Sequence, residues 1–352
     1  MGLRRVSIAL AAAAGFFAAG IGSVAGNAEE SETAPALEAT PTFQDWLGGV
    51  RQDALAKGVS EATLDKALSG LEPIPRVIEL DNAQPEFTQT FQSYISARLT
   101  PKRIEFGRSQ VASLRPTLDA VAKAYGVQAR FIGAIWGIET NFGRVTGSYN
   151  VIASLATLGY ESRRGAYFRR ELIEALKILD EGHIDYSLMK GSWAGAMGQG
   201  QFMPSSFMAY AQDFDHDGRK DIWDDPGDVF ASIAYYLKIH QWRRDLTWGR
   251  QVSLPAGFDV QALGLEQTEP PKSCSRALKD HTKMLPLSKW QELGVRRLDG
   301  RDLPERDVEA SLVQPGGKDG PAFLTYANFR SILHYNCSNF YAIAVGMLSD
   351  AL

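Results

Sequence analysis

This 352-residue chain encodes a mainly α protein of α+β type, with its β structure confined to a small C-terminal part. Two observations carry that reading. Between residues 43 and 241 apolar side chains recur at helical spacing, the pattern of one buried helix face. After Trp248 the texture changes to short apolar runs separated by Pro and Gly, as strands and turns require. Composition agrees, since 45% hydrophobic and 22% charged residues suffice for a large core. Disorder, collagen and a small disulfide-knot scaffold do not fit it. With 37 basic against 41 acidic residues and no basic block, nothing indicates a nucleic-acid-binding surface.

The N-terminus reads as a cleavable export signal over residues 1–25. Arg4 and Arg5 supply its positive end, Val6 to Ala25 is apolar or small, and cleavage sites follow at Ser23-Val24-Ala25 or Gly26-Asn27-Ala28. An uncleaved anchor is the competing reading, but so many Ala and Gly residues make a weak membrane span. The segment lacks Cys, which excludes lipid attachment there, so the mature protein is expected to be soluble. Residues 26–42, rich in Glu, Thr, Ala and Pro, read as a flexible leader.

Three regions follow: helical 43–115, a compact helical core over 116–245, and a C-terminal region over 246–352 with a small β domain. From Pro116 to Tyr125, Leu118, Val121, Ala122 and Tyr125 share one helix face, and Gly126 ends the helix. A second helix runs from Gln128 to Glu139, with further helices near 151–158, 164–181, 204–212 and 227–241. Glu309 to Gln314 and Pro321 to Tyr326, joined by a Pro/Gly-rich turn, form a hairpin. Phe340 to Leu348 is a closing helix with Ser338 as its N-cap. The two cysteines, Cys274 and Cys337, suggest one disulfide in an exported chain, with two buried free thiols as the alternative.

Glu139 lies on the apolar stripe of the second helix, following Ile132, Ile135 and Trp136 at intervals of seven, four and three. Removal from water raises the pKa of a carboxyl, and a protonated glutamic acid near neutral pH suits a general acid in glycoside cleavage. A structural role, capping a helix or pairing with Arg144, is the competing reading. Thr140-Asn141-Phe142-Gly143 ends the helix at once and leaves Glu139 where clefts open.

Ala134-Ile135-Trp136-Gly137-Ile138-Glu139-Thr140-Asn141-Phe142-Gly143 resembles the catalytic helix of the lytic murein transglycosylase B family. The likeness continues through Ala153 to Leu158, Arg163 to Phe168, Lys190 to Ser206, and His334-Tyr335-Asn336 with Phe340-Tyr341-Ala342. The resemblance implies a lysozyme-like helical core flanked by an additional helical region and a small β domain. It implies a soluble periplasmic enzyme acting on peptidoglycan glycan strands, with Glu139 as its single catalytic acid and no cofactor for catalysis. Cell-wall synthases are further partners the family admits and the sequence does not address.

Most glycosidases use two carboxylates, yet Glu161 and Asp185 lie in polar stretches with nothing marking them as partners. The resemblance implies a route with one. Glu139 protonates the oxygen between N-acetylmuramic acid and N-acetylglucosamine, the N-acetyl group assists, and Glu139 then deprotonates the muramic acid C6 hydroxyl to give a 1,6-anhydro product. By the same resemblance Ser192 and Gln201 hydrogen-bond the glycan, and Gly195, Gly198 and Gly200 let backbone approach it. Arg163, Arg164 and Tyr167 contact sugar and peptide-stem groups, while Tyr236, Tyr335, Asn336, Tyr341 and Tyr94 line the groove. A hydrolytic muramidase and a non-catalytic peptidoglycan-binding protein are the alternatives. The first would need a second carboxylate, and the second gives no reason for an acid on an apolar helix face.

Asp213, Asp215, Asp217 and Asp221 occupy positions 1, 3, 5 and 9 of an EF-hand-like calcium loop, with Gly218 at 6 and the Arg219 carbonyl at 7. Lys220 at position 8 and Asp224 at 12 depart from the pattern. The family resemblance implies a longer loop closed by Asp228, so either Asp224 or Asp228 completes the set. A structural calcium ion is expected here; a solvated acidic turn is the alternative.

Overall fold

Four of the first helices start where a Thr or Ser side chain accepts the backbone N–H three residues on. Thr42, Ser60, Thr90 and Thr100 cap α1 (Phe43–Ala56), α2 (Glu61–Leu68), α4 (Phe91–Arg98) and α5 (Pro101–Ser113) in this way. Between and after them lie α3 (Pro75–Asn82) and α6 (Arg115–Tyr125), each opened by a proline in its first turn. The computed structural model describes residues 41–83, 89–269 and 271–352. The export signal and the leader up to residue 40 lie outside the described residues.

Gly126, left-handed at φ 75°, ends α6, whose Leu118 and Val121 are fully buried, as the spacing predicted. There follow α7 (Ala129–Thr140), α8 (Val151–Glu161), α9 (Gly165–Asp180), α10 (Pro204–Tyr210) and α11 (Pro226–Ile239). A two-residue antiparallel pair, β1 (Tyr149–Asn150) with β2 (Lys190–Gly191), ties the start of α8 to the glycine-rich segment.

The C-terminal part holds β3 (Gly249–Ser253), α12 (Ser275–Leu278), β4 (Leu285–Pro286), α13 (Leu287–Glu292), β5 (Arg296–Arg297), β6 (Glu309–Val313) and β7 (Ala322–Thr325). These strands make one antiparallel sheet in the order β4-β6-β7-β3-β5. The predicted hairpin is β6–β7, with Leu312 opposite Leu324. Strand β3 was not legible: Gly249-Arg250-Gln251-Val252-Ser253 carries one apolar residue, and its extension comes from pairing with β7. Two helices close the chain, α14 (Ala327–Tyr335) and α15 (Asn339–Ala351), the latter capped by Ser338 as expected. Helix α14 has no start signal of its own in the sequence although Phe329, Ile332 and Leu333 follow helical spacing, because the hairpin runs straight into it.

Residues 41–352 form one compact unit around three apolar clusters. One joins α1–α3 to α8–α10 and the glycine-rich segment. A second is built on α7, with α6, α11, α14 and α15 around it. The third lies under the sheet, centred on Trp290 and Leu312. Tyr335 packs against both the first and the second cluster, which places it on the seam between them.

Candidate active site

Helix α7 is apolar on nearly every side: Phe131 to Gly137 are all buried. Its C-terminus turns sharply through three successive left-handed residues, Asn141, Phe142 and Gly143. The turn folds the Phe142 ring back under the helix, where a Cβ on Gly137 or Gly107 would meet that ring at 2.6 or 2.2 Å. Arg103 donates from α5 to the carbonyls of Gly137 and Ile138, satisfying groups the helix end leaves open. Glu139 sits at this fixed end.

Glu139 is half-buried, and the Tyr341 hydroxyl donates to its Oε1 at 2.6 Å. Desolvation pushes its pKa up to about 7, against the Tyr341 hydrogen bond and the positive charge of Arg98, which pull it down. Arg98 lies 3.5 Å over the ring of Tyr94, whose own pKa is raised mainly by burial and partly by the Glu139 charge. Arg144, the partner that a structural role for Glu139 would require, stacks instead on Phe106 at 3.8 Å.

The tyrosines form a continuous wall. Tyr341 stacks on Tyr335 at 6.5 Å, and Tyr335 meets Tyr236 at 4.8 Å. The Tyr335 hydroxyl donates to the Gly200 carbonyl at 2.6 Å, and that of Tyr236 to the His334 carbonyl at 2.7 Å. Burial raises the pKa of all three phenols, so they stay neutral donors. Asn336 is exposed at the C-terminal cap of α14.

The glycine-rich segment is held to α7 by Gln199, which sequence reasoning passed over. Its Oε1 accepts from Trp136 Nε1 at 2.7 Å, its Nε2 donates to the Trp223 carbonyl at 2.7 Å, and its carbonyl accepts from Thr140 Oγ1 at 2.9 Å. A Cβ on Gly195, Gly198 or Gly200 would meet Leu155, Ile222 or the Tyr335 hydroxyl, so each glycine leaves room for a neighbouring group of the fold. Ser192 Oγ accepts from the Ala196 N–H at 3.0 Å. Gln201, left-handed at φ 52°, donates to the carbonyls of Thr146 and Gly198 at 3.1 and 2.9 Å.

Arg163, Arg164 and Tyr167 stand at the start of α9, in the first cluster's territory. Arg163 and Arg164 are exposed, Arg164 pairing with Asp81 at 3.3 Å. Tyr167 packs edge-on against Phe168, and burial pushes its pKa up to about 12. Among the described residues no carboxylate is one of the groups that shift Glu139. Glu161 and Asp185 are exposed, and the buried Glu171 accepts from the N–H and hydroxyl of Ser205, capping α10.

In the acidic loop Asp213, Asp215 and Asp228 converge, each offering an oxygen within 4.8 Å of the others. Asp213 Oδ1 is buried without a hydrogen-bond partner, as a cation ligand would be. Asp228, almost fully buried, has its pKa pushed up to about 6 by desolvation, against N–H bonds from Phe214 and Asp221. The donor set therefore fits a hard cation. Other acids of the loop turn to backbone: Asp217 accepts from Arg219 N–H, and Asp221 from Trp223 and Asp224 N–H. Asp224 is exposed and outside the convergent set, whereas Asp228 is in it. The Arg219 side chain reaches the His183 carbonyl at 3.2 Å.

The Transglycosylase SLT domain family matches residues 42–350, almost all of the described chain. The chain belongs to that family. It is 33% identical over 307 residues to membrane-bound lytic murein transglycosylase B of Escherichia coli (strain K12), covering 84% of this chain and 79% of that protein. Among solved structures, SltB3 from Pseudomonas aeruginosa in complex with NAG-anhNAM-pentapeptide matches with a TM-score of 0.80 and 45% identity, over 88% of this chain and 78% of that one. The Escherichia coli lytic transglycosylase Slt35 in complex with calcium matches with a TM-score of 0.69 and 29% identity, over 89% and 92%. The lysozyme-like assignment of the helical core rests on these structures.

Proposed function

We propose that this protein is a lytic transglycosylase that cleaves the bond between N-acetylmuramic acid and N-acetylglucosamine in peptidoglycan, with Glu139 as acid and then base. The observation that carries this is a single carboxyl, poised near neutrality, with a neutral phenol donating to it. A group of pKa about 7 holds a proton readily and takes one back readily, as a two-role catalyst must. Glu139 gives its proton to the departing N-acetylglucosamine oxygen while the muramic acid N-acetyl oxygen closes on C1. The Tyr341 hydroxyl stabilises the carboxylate so formed. That carboxylate then takes the C6 hydroxyl proton as O6 attacks C1 and expels the acetamido oxygen. No water is consumed, and the glycan ends as a 1,6-anhydro sugar.

With Glu171 engaged at Ser205 and Asp228 at the N–H groups of Phe214 and Asp221, no other buried acid among the described residues is free to activate water, which favours the intramolecular route over hydrolysis. Tyr94, Tyr236, Tyr335 and Asn336 line the glycan groove in this reading, with Ser192 and Gln201 across from them. Arg163, Arg164 and Tyr167 meet the peptide stem, the arginines through its carboxylates. Asp213, Asp215 and Asp228 hold a calcium ion whose contribution is to fix the loop before α11. The protein acts in the periplasm. None of the described helices is long and apolar enough to cross a membrane.

Mass spectrometry of products from purified peptidoglycan tests the proposal. Wild type is expected to release anhydro-muropeptides and Glu139→Gln none. Reducing-end products, heavier by one water, would overturn it in favour of a muramidase. Binding without products would leave a peptidoglycan-binding protein.

A further inference from the structure

A buried polar network lies at the start of α15, the helix that also carries Tyr341. His281, Ser311, Thr325 and Asn339 are all buried. Asn339 Nδ2 donates to the Ala277 carbonyl at 2.8 Å, so its Oδ1 is the atom facing His281 Nε2 at 2.9 Å. Nε2 must therefore carry a proton and donate. Nδ1 is left as the acceptor of a neutral ring, filled by the Ser311 hydroxyl at 3.0 Å. Thr325 Oγ1 donates to the Ser311 carbonyl at 3.2 Å and lies 3.0 Å from its hydroxyl. Every member is satisfied.

The network is anchored at the start of α15. Asn339 is that helix's first residue, and Tyr341 is its third. Cys337, two residues before Asn339, is disulfide-bonded to Cys274, the N-cap of α12 on which Ala277 sits. Both ends of the Asn339–Ala277 bond are thus fixed from behind. Ser338 already caps α15, so helix formation alone does not call for four buried polar groups. What a satisfied network adds over apolar packing is direction.

We infer that His281 is a positioning residue: through Asn339 it fixes the first turn of α15 and so holds the Tyr341 hydroxyl on the Glu139 carboxyl. The function of this positioning rests on the transglycosylase reading of Glu139. Burial and the nearby Arg330 charge keep His281 neutral at the pH where Glu139 works, so the link does not change polarity there. The groups facing Glu139 are Tyr94 and Arg98 from α4, Tyr335 from α14 and Tyr341 from α15. Of these, Tyr341 starts on the turn that the network holds.

The Glu139 titration in the full chain, read by NMR of 13C-labelled glutamate and assigned by the signal lost in Glu139→Gln, tests this without substrate. His281→Leu is expected to raise the Glu139 midpoint by about one unit, the size of a lost hydrogen bond to a charged acceptor. Tyr341→Phe should raise it equally, and the double variant should titrate like Tyr341→Phe alone. His281→Gln, whose amide can both donate to Asn339 and accept from Ser311, should restore the wild-type midpoint. A folded His281→Leu with lowered thermal stability and an unshifted midpoint overturns the proposal, as does a double variant with additive shifts. Should His281→Leu not fold, Asn339→Ala breaks the same link and is read the same way. The transglycosylase reading fails separately, if wild type releases no anhydro product.

Discussion

The hydroxyl of Tyr341 donates to Oε1 of Glu139 at 2.6 Å across 202 positions of sequence. It opposes the desolvation that dominates this carboxyl, and the balance leaves the pKa at about 7 against a reference of 4.5. A carboxyl raised on folding is protonated in the folded chain and ionised in the unfolded one between those two values. Stability therefore falls as pH rises from about 4.5 to 7 and stays reduced above. The cost at pH 8 is on the order of 2–3 kcal/mol after allowance for the residue's partial exposure. Glu139→Gln should consequently melt at a higher temperature than wild type at pH 8 and at nearly the same temperature at pH 4. Equal melting curves at pH 8 would mean that the carboxyl is not desolvated.

Gln199 joins the helix that carries Glu139 to the glycine-rich segment. Gln199→Ala would leave Trp136 Nε1 and the Trp223 carbonyl without these partners. Each buried polar group so stranded costs about 1–3 kcal/mol, so a loss of about 2–6 kcal/mol is expected from urea unfolding. Anhydro-product release should fall as well, because the segment bonded to Tyr335 at Gly200 is then free to shift. A stable variant with full activity would remove Gln199 from the site's scaffold.

These two residues mark what the sequence shows and what it hides. Glu139 is legible because periodicity puts a charge where only apolar side chains belong, and that anomaly survives without any tertiary information. Tyr341 and Tyr335 are legible only through family likeness, since a helical Tyr at their positions looks like ordinary packing. Gln199 is one of two glutamines in the same glycine-rich run. Nothing local distinguishes the one that bonds the catalytic helix from Gln201, whose amide bonds Thr146 and Gly198. The long helices were readable from spacing. β3 was not, because its strand character comes from its neighbour β7. For the acidic loop, alternate Asp residues announced a cation site, but the choice between Asp224 and Asp228 depended on how the chain turns into α11.

Calcium should stabilise the protein by mass action. A ligand that binds only the folded state at a hundred times its dissociation constant contributes about 2.7 kcal/mol. Thermal unfolding should therefore shift upward with added calcium and back with chelator. Asp213→Asn keeps the side chain's shape but removes its negative charge, and Asp213 holds the buried oxygen without a partner. That variant should lose most of the shift. An unchanged shift in Asp213→Asn would place the ion elsewhere.

The disulfide between Cys274 and Cys337 closes a loop with a sequence separation of 63. In the chain-entropy model such a closure contributes roughly 4 kcal/mol. Cys274→Ser combined with Cys337→Ser should lower the urea midpoint accordingly, and reductant should lower that of wild type but not of the double variant. A reductant effect that persists in the double variant would exclude the bond as its cause.

His281 gives the opposite pH limb from Glu139. Burial drives its pKa down to about 4, against an ordinary value of 6.5, so the folded chain refuses a proton that the unfolded chain accepts. Its contribution is intact above pH 6.5 and is lost as pH falls toward 4, by on the order of 3 kcal/mol once both limits are passed. Glu139 behaves in reverse, weakening the fold as pH rises from 4.5 to 7. Wild type and His281→Gln, which keeps both hydrogen bonds, should therefore be closest in urea midpoint at pH 7, and wild type should fall progressively below the variant toward pH 4, because only wild type carries a buried imidazole to protonate. A gap independent of pH would mean that the His281 ring titrates alike in both states, and that its burial costs the charged form nothing.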